Sequence, residues 1–182
     1  MKKISLSQFD DVYALFQQSF VPSELRPYQY MKDLFQQGLF CIYACYSKQE
    51  LQGAMIVWEL KHCVYLENFA VHEKMRGQGL GSDLMKQFCQ MYVNDFLFLE
   101  VEEPYDDFSR RRIQFYERMG FILNPYDYIQ PTFRQGDQPV ILNMMTYPEM
   151  MDEQKYQKIK KKYLKLCINK RENYESIRRK NY

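Results

Sequence analysis

The 182-residue chain lacks the marks of a membrane protein, a metalloprotein or a disulfide-bonded secreted domain. No apolar run approaches the roughly 18 residues of a membrane-spanning helix, and no apolar signal segment follows the start, which turns polar at Ser7. There is no Cys-x-x-Cys pair, and neither histidine has a partner at ligand spacing. The five cysteines are an odd number, which favours reduced core residues. We therefore expect a cytoplasmic protein without a bound metal.

Charge is distributed unevenly, although the net charge is only +2. Residues 152–182 hold 11 basic and 4 acidic residues, and the remainder holds 14 basic and 19 acidic residues. Within the basic part, apolar residues recur at helical spacing at Tyr156, Ile159, Tyr163 and Leu166. We expect a main domain over residues 1–147 and a basic amphipathic helix within 148–182, packed on the domain or on a second subunit. Contact of this basic segment with nucleic acid is the less favoured alternative.

Hydrophobic periodicity predicts an α/β (α+β) domain with the order β-α-α-β-β-β-α-β-α-β-β. The helices are expected to begin near Ser7, Pro27, Gly81 and Phe108. The strands are expected at Lys2–Leu6, Leu39–Ser47, Leu51–Lys61, Cys63–Val71, Phe96–Glu102, Phe121–Leu123 and Val140–Met145.

A loop with three glycines on alternate residues, Gly77, Gly79 and Gly81, joins the apolar strand Cys63–Val71 to the helix that follows. Glycine lets a ligand approach the backbone closely. The unpaired N–H groups and the dipole of the first helical turn favour an anion there, and Arg76 adds positive charge. The loop therefore predicts a phosphate site. Its spacing differs from the G-x-G-x-x-G of dinucleotide-binding domains, and the Gly-Lys-Ser/Thr of a mononucleotide P-loop is absent.

The stretch from Arg76 to Gly81 resembles the R/Q-x-x-G-x-G/A signature of the GNAT superfamily of N-acetyltransferases. A second stretch, from Ile113 to Phe121, resembles that family's x-x-F-Y-x-x-x-G-F motif, although the usual upstream Asn is replaced, with Ser109 near its place. The resemblance implies a mixed, mostly antiparallel sheet flanked by helices, which splays where the loop-bearing strand meets the next one. It also implies that acetyl-CoA contacts the strand backbone and the loop, at Phe69, Ala70, Val71, Arg76, Gly77, Gln78, Gly79, Leu80, Gly81 and Ser82.

Two residues are candidates for catalysis. Glu67 is a charged residue on an apolar strand, which points to a hydrogen-bonded or solvated carboxylate in a wet cleft. The run around it resembles a strand of the spermidine/spermine acetyltransferases, whose matching Glu is regarded as the general base. Tyr116 matches the tyrosine that family members place beside the CoA sulfur, so the resemblance implies a general acid. The acidic residues after the next strand either line a mouth for a cationic amine or form a solvated loop: Glu100, Glu102, Glu103, Asp106 and Asp107.

The resemblance thus implies an N-acetyltransferase that uses acetyl-CoA as its cosubstrate and transfers the acetyl group directly to a primary amine. We expect a small-molecule acceptor, with a protein or peptide amine as the alternative within this class. A non-catalytic acyl-CoA-binding or partner-recruiting module is the alternative outside it. A homodimer is left open.

Overall fold

A computed structural model describes residues 1–61, 63–130, 133 and 138–161, and it contains a seven-stranded sheet with helices on both faces. Among these residues, no helix is both long and apolar enough to cross a membrane. The strands are β1 (Lys2–Lys3), β2 (Cys41–Ser47), β3 (Glu50–Leu60), β4 (Cys63–Val71), β5 (Leu97–Glu102), β6 (Ile122–Gln130) and β7 (Val140–Tyr147). The helices are α1 (Phe9–Ser19), α2 (Tyr28–Gln36), α3 (Leu80–Met91), α4 (Asp107–Arg118) and α5, whose described part covers residues 153–161.

The strands lie in the order β1-β2-β3-β4-β5-β7-β6, and only β4 and β5 run parallel. Their ladder pairs Val64–Leu66 with Leu97–Leu99. Beyond this ladder β4 continues along β3 and β5 continues along β7, so the two central strands diverge. We call the opening between them the splay. The predicted fold, a mixed and mostly antiparallel sheet that opens at this place, is confirmed.

Two hydrophobic cores cover the two faces of the sheet. Side chains alternate between the faces along each strand, as the pleat requires. On the first face, here called the α1/α2 face, Tyr65 and Phe98 stack at 4.8 Å and pack with residues of α1 and α2. On the second, the α3/α4 face, residues such as Met55 pack with α3 and α4.

The beginning of the basic extension joins the α1/α2 face. Met151, Tyr156 and Ile159 are buried in its core, and the Tyr156 ring stacks on that of Tyr126 at 4.6 Å. The prediction of an amphipathic helix packed on the domain is therefore confirmed for residues 153–161. The rest of the basic extension, including Tyr163 and Leu166, lies outside the described residues.

Strand β6 differs most from its prediction, because it extends to Gln130 rather than ending at Leu123. The sequence Asn124-Pro125 is typical of a turn. Here the register with β7 shifts between Leu123 and Asp127, so an irregular segment absorbs the proline on the outermost strand of the sheet. Edge strands and bulges are where a sheet tolerates proline.

The buried side chain of Asn124 holds this irregular segment in place. Its Nδ2 donates to the Met144 carbonyl at 3.1 Å and to Thr146 Oγ1 at 2.9 Å. Its Oδ1 accepts from the Met151 N–H at 2.9 Å. One amide thus connects β6, β7 and the segment that leads into α5.

Candidate functional site

The glycine loop follows β4 and ends at the first turn of α3. Gly77 and Gly79 have φ values of +74° and +85°, in the left-handed region that favours glycine. A Cβ at either position would meet no atom within 4 Å, so the space in front of the loop is open. Helix α3 begins at Leu80, with Gly79 as its N-cap, one residue before the predicted start. The strand-loop-helix arrangement predicted from the sequence is confirmed.

The backbone of this loop presents free hydrogen-bond donors. The N–H groups of residues 77–82 donate to no acceptor in the described part of the chain. The loop is instead held by side chains, because Arg76 Nε donates to the Val71 carbonyl at 3.2 Å and Gln78 Nε2 to the Lys74 carbonyl at 2.7 Å. Open space, unpaired N–H groups and an exposed arginine together fit an anionic phosphate.

The edge of β4 that faces the splay also presents backbone groups that β3 does not use, although the Val71 carbonyl accepts from Arg76 Nε. In the β3–β4 ladder, the His72 N–H donates to the Gln52 carbonyl. Every second residue pair of an antiparallel ladder exchanges hydrogen bonds, so the hydrogen-bonded pairs follow at steps of two residues from this one. Ala70 is in such a pair with Ala54. Phe69 and Val71 alternate with it, and their N–H and C=O groups point away from β3, toward the splay. Of the three predicted backbone contacts, the register thus orients those of Phe69 and Val71 toward a ligand.

Helix α4 brings aromatic rings to the α3/α4 face beside the loop. The Phe115 ring lies 6.2 Å from that of Phe69, and its edge would be 3.8 Å from a Cβ at Gly81. The neighbouring Tyr116 is buried, with its ring 5.9 Å from that of Phe121. Burial raises the pKa of Tyr116 to about 12. Its phenol therefore stays protonated and able to donate over the whole neutral and moderately alkaline range.

Glu67 lies on the opposite, α1/α2 face, at a bulge in β4. Leu66 pairs with Val57 and Asn68 with Ile56, which leaves Glu67 as the extra residue of the bulge. Its side chain is only 3% exposed, so the expected wet cleft around it is wrong. The carboxylate is stabilised by hydrogen bonds and an ion pair instead of by water.

Both carboxylate oxygens of Glu67 have partners. Oε1 accepts from Arg26 Nη2 at 2.7 Å and from Arg26 Nε at 2.9 Å. Oε2 accepts from the indole Nε1 of Trp58 at 2.7 Å. A carboxylate offers about four lone-pair positions. Within the described chain one position therefore remains, on Oε2.

Further carboxylates line the same face near the splay. Glu100 Oε2 accepts from the Tyr65 hydroxyl at 2.7 Å and from Gln130 Nε2 at 3.3 Å. Glu102 is paired with Arg112 at 3.3 Å. Burial and the neighbouring Glu102 carboxylate raise the pKa of Glu24, from the segment between α1 and α2. Three carboxyl groups thus meet here.

Four of the acidic residues in and after β5 form two groups. Asp106 caps α4, because its Oδ1 accepts from the Ser109 N–H at 2.7 Å, and Asp107 pairs with Arg110 at 2.8 Å. These two aspartates hold the start of a helix, whereas Glu100 and Glu102 project from β5 into the α1/α2 face.

Sequence reasoning missed four residues of this site: Arg26, Trp58, Gln130 and Phe133. Each is unremarkable in its local sequence, and Gln130 lies on the part of β6 that was expected to be a connection. They meet around Glu67 and Glu100 only because β3, β4 and β5 lie side by side and because Arg26 and Phe133 lie on the same face. The catalytic roles of Glu67 and Tyr116 stay predictions.

Comparisons with known proteins agree with this architecture. The chain is similar in structure to a Bacteroides thetaiotaomicron protein described as an acetyltransferase from the GNAT family, with 27% identity, a TM-score of 0.84, and coverage of 90% of this chain and 95% of that chain. A variant of spermidine N-acetyltransferase from Vibrio cholerae has 12% identity and a TM-score of 0.60, over 80% of this chain and 92% of that chain. The ribosomal-protein-alanine N-acetyltransferase of Escherichia coli has 19% identity and a TM-score of 0.56, over 83% of this chain and 94% of that chain.

Searched against curated proteins by sequence, the chain finds no match. The model of the acetyltransferase (GNAT) family matches residues 9–121, which include the splay, the glycine loop and the Phe115-Tyr116 pair. The chain therefore belongs to the GNAT acetyltransferase family.

Proposed function

We propose that this protein transfers the acetyl group of acetyl-CoA directly to the primary amine of a small, positively charged molecule. The observation that carries the proposal is the splay, with backbone donors on its β4 edge and, at its end, an open glycine loop whose N–H groups would suit a phosphate. Candidate acid and base groups lie on its two sides, because Tyr116 is on the α3/α4 face and Glu67 on the α1/α2 face. Donor and acceptor would therefore approach from opposite faces.

The donor fits the groups on the α3/α4 side. The N–H groups of residues 77–82 and the Arg76 guanidinium would hold the pyrophosphate. The Val71 N–H and the Phe69 C=O would pair with the amides of the pantetheine arm, as a further strand would. Acetyl-CoA supplies a thioester, whose carbonyl carbon is the electrophile.

The residues around the splay would divide the proton transfers between them. The Phe69 N–H, which is farther from the loop than that of Val71, would donate to the thioester carbonyl oxygen, where negative charge develops as the amine nitrogen attacks. Glu67 Oε2 would accept the proton that the amine loses as the new C–N bond forms, directly or through one water. The Tyr116 hydroxyl would donate a proton to sulfur as the C–S bond breaks. Atoms and charge then balance.

The acceptor side favours a cationic small molecule. Glu24, Glu100 and Glu102 place carboxyl groups on the α1/α2 face beside the splay, and such a cluster attracts a cation by its field. The ring of Phe133, from the β6–β7 connection, lies 4.4 Å from the guanidinium of Arg26, which precedes α2. The Phe133 ring therefore lies beside the Arg26–Glu67 pair on the acceptor face, which favours a narrow ligand over a protein terminus.

The fold alone permits either kind of acceptor. It is shared by an enzyme named for spermidine and by one named for a ribosomal protein. The small-molecule proposal therefore depends on the charge of the acceptor face and on the Phe133 ring that lies there.

Turnover of acetyl-CoA, followed as free thiol release, tests the proposal. The acceptor panel contains polyamines, aminoglycosides, amino acids and peptides with free N-termini. We expect release with a di- or polycationic small amine. Release only with peptides would refute the small-molecule acceptor, and silence across the panel would refute the enzyme.

A binding module without catalysis is the second candidate, and the near-complete burial of Glu67 is the observation that favours it. An Arg-paired carboxylate with 3% exposure also fits a purely structural role. Such a module would bind acetyl-CoA in calorimetry, release no thiol, and keep its affinity in the E67Q and Y116F variants. The enzyme would lose turnover in both variants while still binding acetyl-CoA.

A further inference from the structure

The Arg26 guanidinium is held more firmly than an ordinary surface arginine. It belongs to the short segment between α1 and α2, and its side chain is 1% exposed. Arginine is seldom fully buried unless it is paired. Here Nε and Nη2 both donate to the single oxygen Oε1 of Glu67, at 2.9 and 2.7 Å.

Three aromatic rings surround the same guanidinium. Its central carbon lies 4.4 Å from the ring centre of Phe133, 5.5 Å from that of Trp58 and 5.6 Å from that of Tyr30. The rings come from the β6–β7 connection, from β3 and from α2. Planar stacking and cation–π attraction select arginine over lysine at such a place. The orientation of the guanidinium is therefore set by three separate elements.

This arrangement determines how Glu67 is presented. Arg26 occupies Oε1, and the Trp58 indole N–H takes one position on Oε2. Within the described chain, the carboxylate has one lone-pair position left for a proton, on the oxygen that Arg26 does not touch. Rotation of the carboxylate would break contacts to both Arg26 and Trp58.

We infer that Arg26 is a positioning residue for acetyl transfer, which orients the Glu67 carboxylate so that Oε2 faces the acceptor. The inference rests on the proposed function, because it assumes that Glu67 receives the proton of the amine. Arg26 touches neither reacting molecule and acts through Glu67.

The test combines R26K with E67Q in a double-mutant cycle, and R110K is the matched control. Lysine keeps the positive charge of Arg26 but cannot span Oε1 with two nitrogens or stack as a plane. Arg110 forms an exposed ion pair with Asp107, so R110K makes the same chemical change away from the splay. The readouts are kcat with the best amine, the Kd of acetyl-CoA and the melting temperature, with kcat measured well below melting.

We expect R26K to lower kcat by about tenfold or more while the Kd of acetyl-CoA is unchanged. In the E67Q background R26K should have no further effect on kcat, because a residue that acts through Glu67 has nothing left to orient. R110K should leave kcat and Kd unchanged. An equal loss of kcat from R26K in both backgrounds would overturn the inference, as would an R26K enzyme with wild-type kcat.

A spectroscopic readout covers the case in which R26K folds poorly. Trp58 is the only tryptophan of the chain, so fluorescence excited at the long-wavelength edge, where tyrosine does not absorb, comes from this cluster. The milder variant Y30F, which keeps a ring over Arg26, should retain the wild-type emission spectrum. E67Q should shift it, because the indole N–H loses its carboxylate partner. An emission spectrum that E67Q leaves unchanged would show that this cluster is not formed, and would overturn the inference.

The outcomes separate the two proposals. If the wild-type chain turns over an amine and E67Q does not, the proposed function stands, and a wild-type rate in R26K then overturns only the role of Arg26. If the wild-type chain transfers acetyl to no amine, both proposals are overturned.

Discussion

The glycine loop gives the sharpest test of acetyl-CoA binding, because two of its glycines are there for different reasons. Gly79 has a φ of +85° in an exposed loop, and a Cβ there would meet open space. Gly81 lies inside α3 without a positive φ. Its Cβ would meet Val71 and Phe115 at 3.7 and 3.8 Å, which is ordinary van der Waals contact. Gly79→Ala and Gly81→Ala therefore differ in conformational strain and not in added volume.

We expect the G79A variant to bind acetyl-CoA more weakly. A left-handed conformation costs an L-residue about 1–2 kcal/mol. Since nothing packs on the loop at this position, the free protein relaxes to another conformation and the cost returns when the ligand requires the original one. At 1.4 kcal/mol for each factor of ten, the Kd of acetyl-CoA should rise by about 5- to 30-fold. The melting temperature should change little.

The G81A variant is the control for strain: it keeps the backbone N–H, and its Cβ points at Val71 and Phe115, away from the open space before the loop, so the Kd of acetyl-CoA should stay near the wild-type value. Alanine is favoured over glycine within a helix by about 1 kcal/mol, so the melting temperature should rise by roughly 2–4 °C. Isothermal calorimetry with acetyl-CoA and thermal unfolding of both variants are the assays. A G79A protein that binds as tightly as wild type would refute the claim that the loop must keep its left-handed conformation to hold the phosphates.

Three further predictions concern the reaction and the fold. The E67Q variant should lose about 100-fold or more in kcat with an unchanged Kd for acetyl-CoA. It should also melt at a lower temperature, because glutamine cannot accept from both Arg26 and Trp58. Wild-type turnover in this variant would exclude a base role for Glu67. The Y116F variant should lose about 100-fold in kcat. Burial raises the pKa of Tyr116 to about 12 from an ordinary value of 10. The contribution of the protonated phenol to the free energy of unfolding is therefore complete below pH 10 and is lost as the pH rises through 12. For the same reason, the wild-type kcat should show no alkaline loss from this phenol at pH 9 to 10. The N124A variant should unfold about 3 kcal/mol more easily, because several buried partners of the amide are left unpaired, and a chemical-denaturation midpoint equal to that of wild type would contradict this account.

Local sequence was sufficient to predict β4, the glycine loop and α3, the unit in which the family motif lies. The apolar run of β4, the alternating glycines and the periodic residues of α3 each leave a pattern within a few residues. The same holds for α4 and for the meander of β2, β3 and β4, whose observed bounds differ from the predicted ones by a residue or two at most ends. Strand β6 escaped prediction because Asn124 and Pro125 are typical of turns, and only pairing with β7 decides that they belong to an edge strand.

The candidate site was predicted in its parts and not in its arrangement. The sequence by itself determined that a glycine loop follows a buried strand, that Glu67 is an unusual charge on that strand, and that Tyr116 belongs to a helical motif. Only the tertiary structure decided that Glu67 and Tyr116 lie on opposite faces of the sheet, and that Glu67 is paired with an arginine 41 residues earlier in the chain. The physical reason is that periodicity records which face a residue occupies within its own element, whereas its partners depend on strand register, a one-residue bulge, and the paths of segments that meet only in the folded chain.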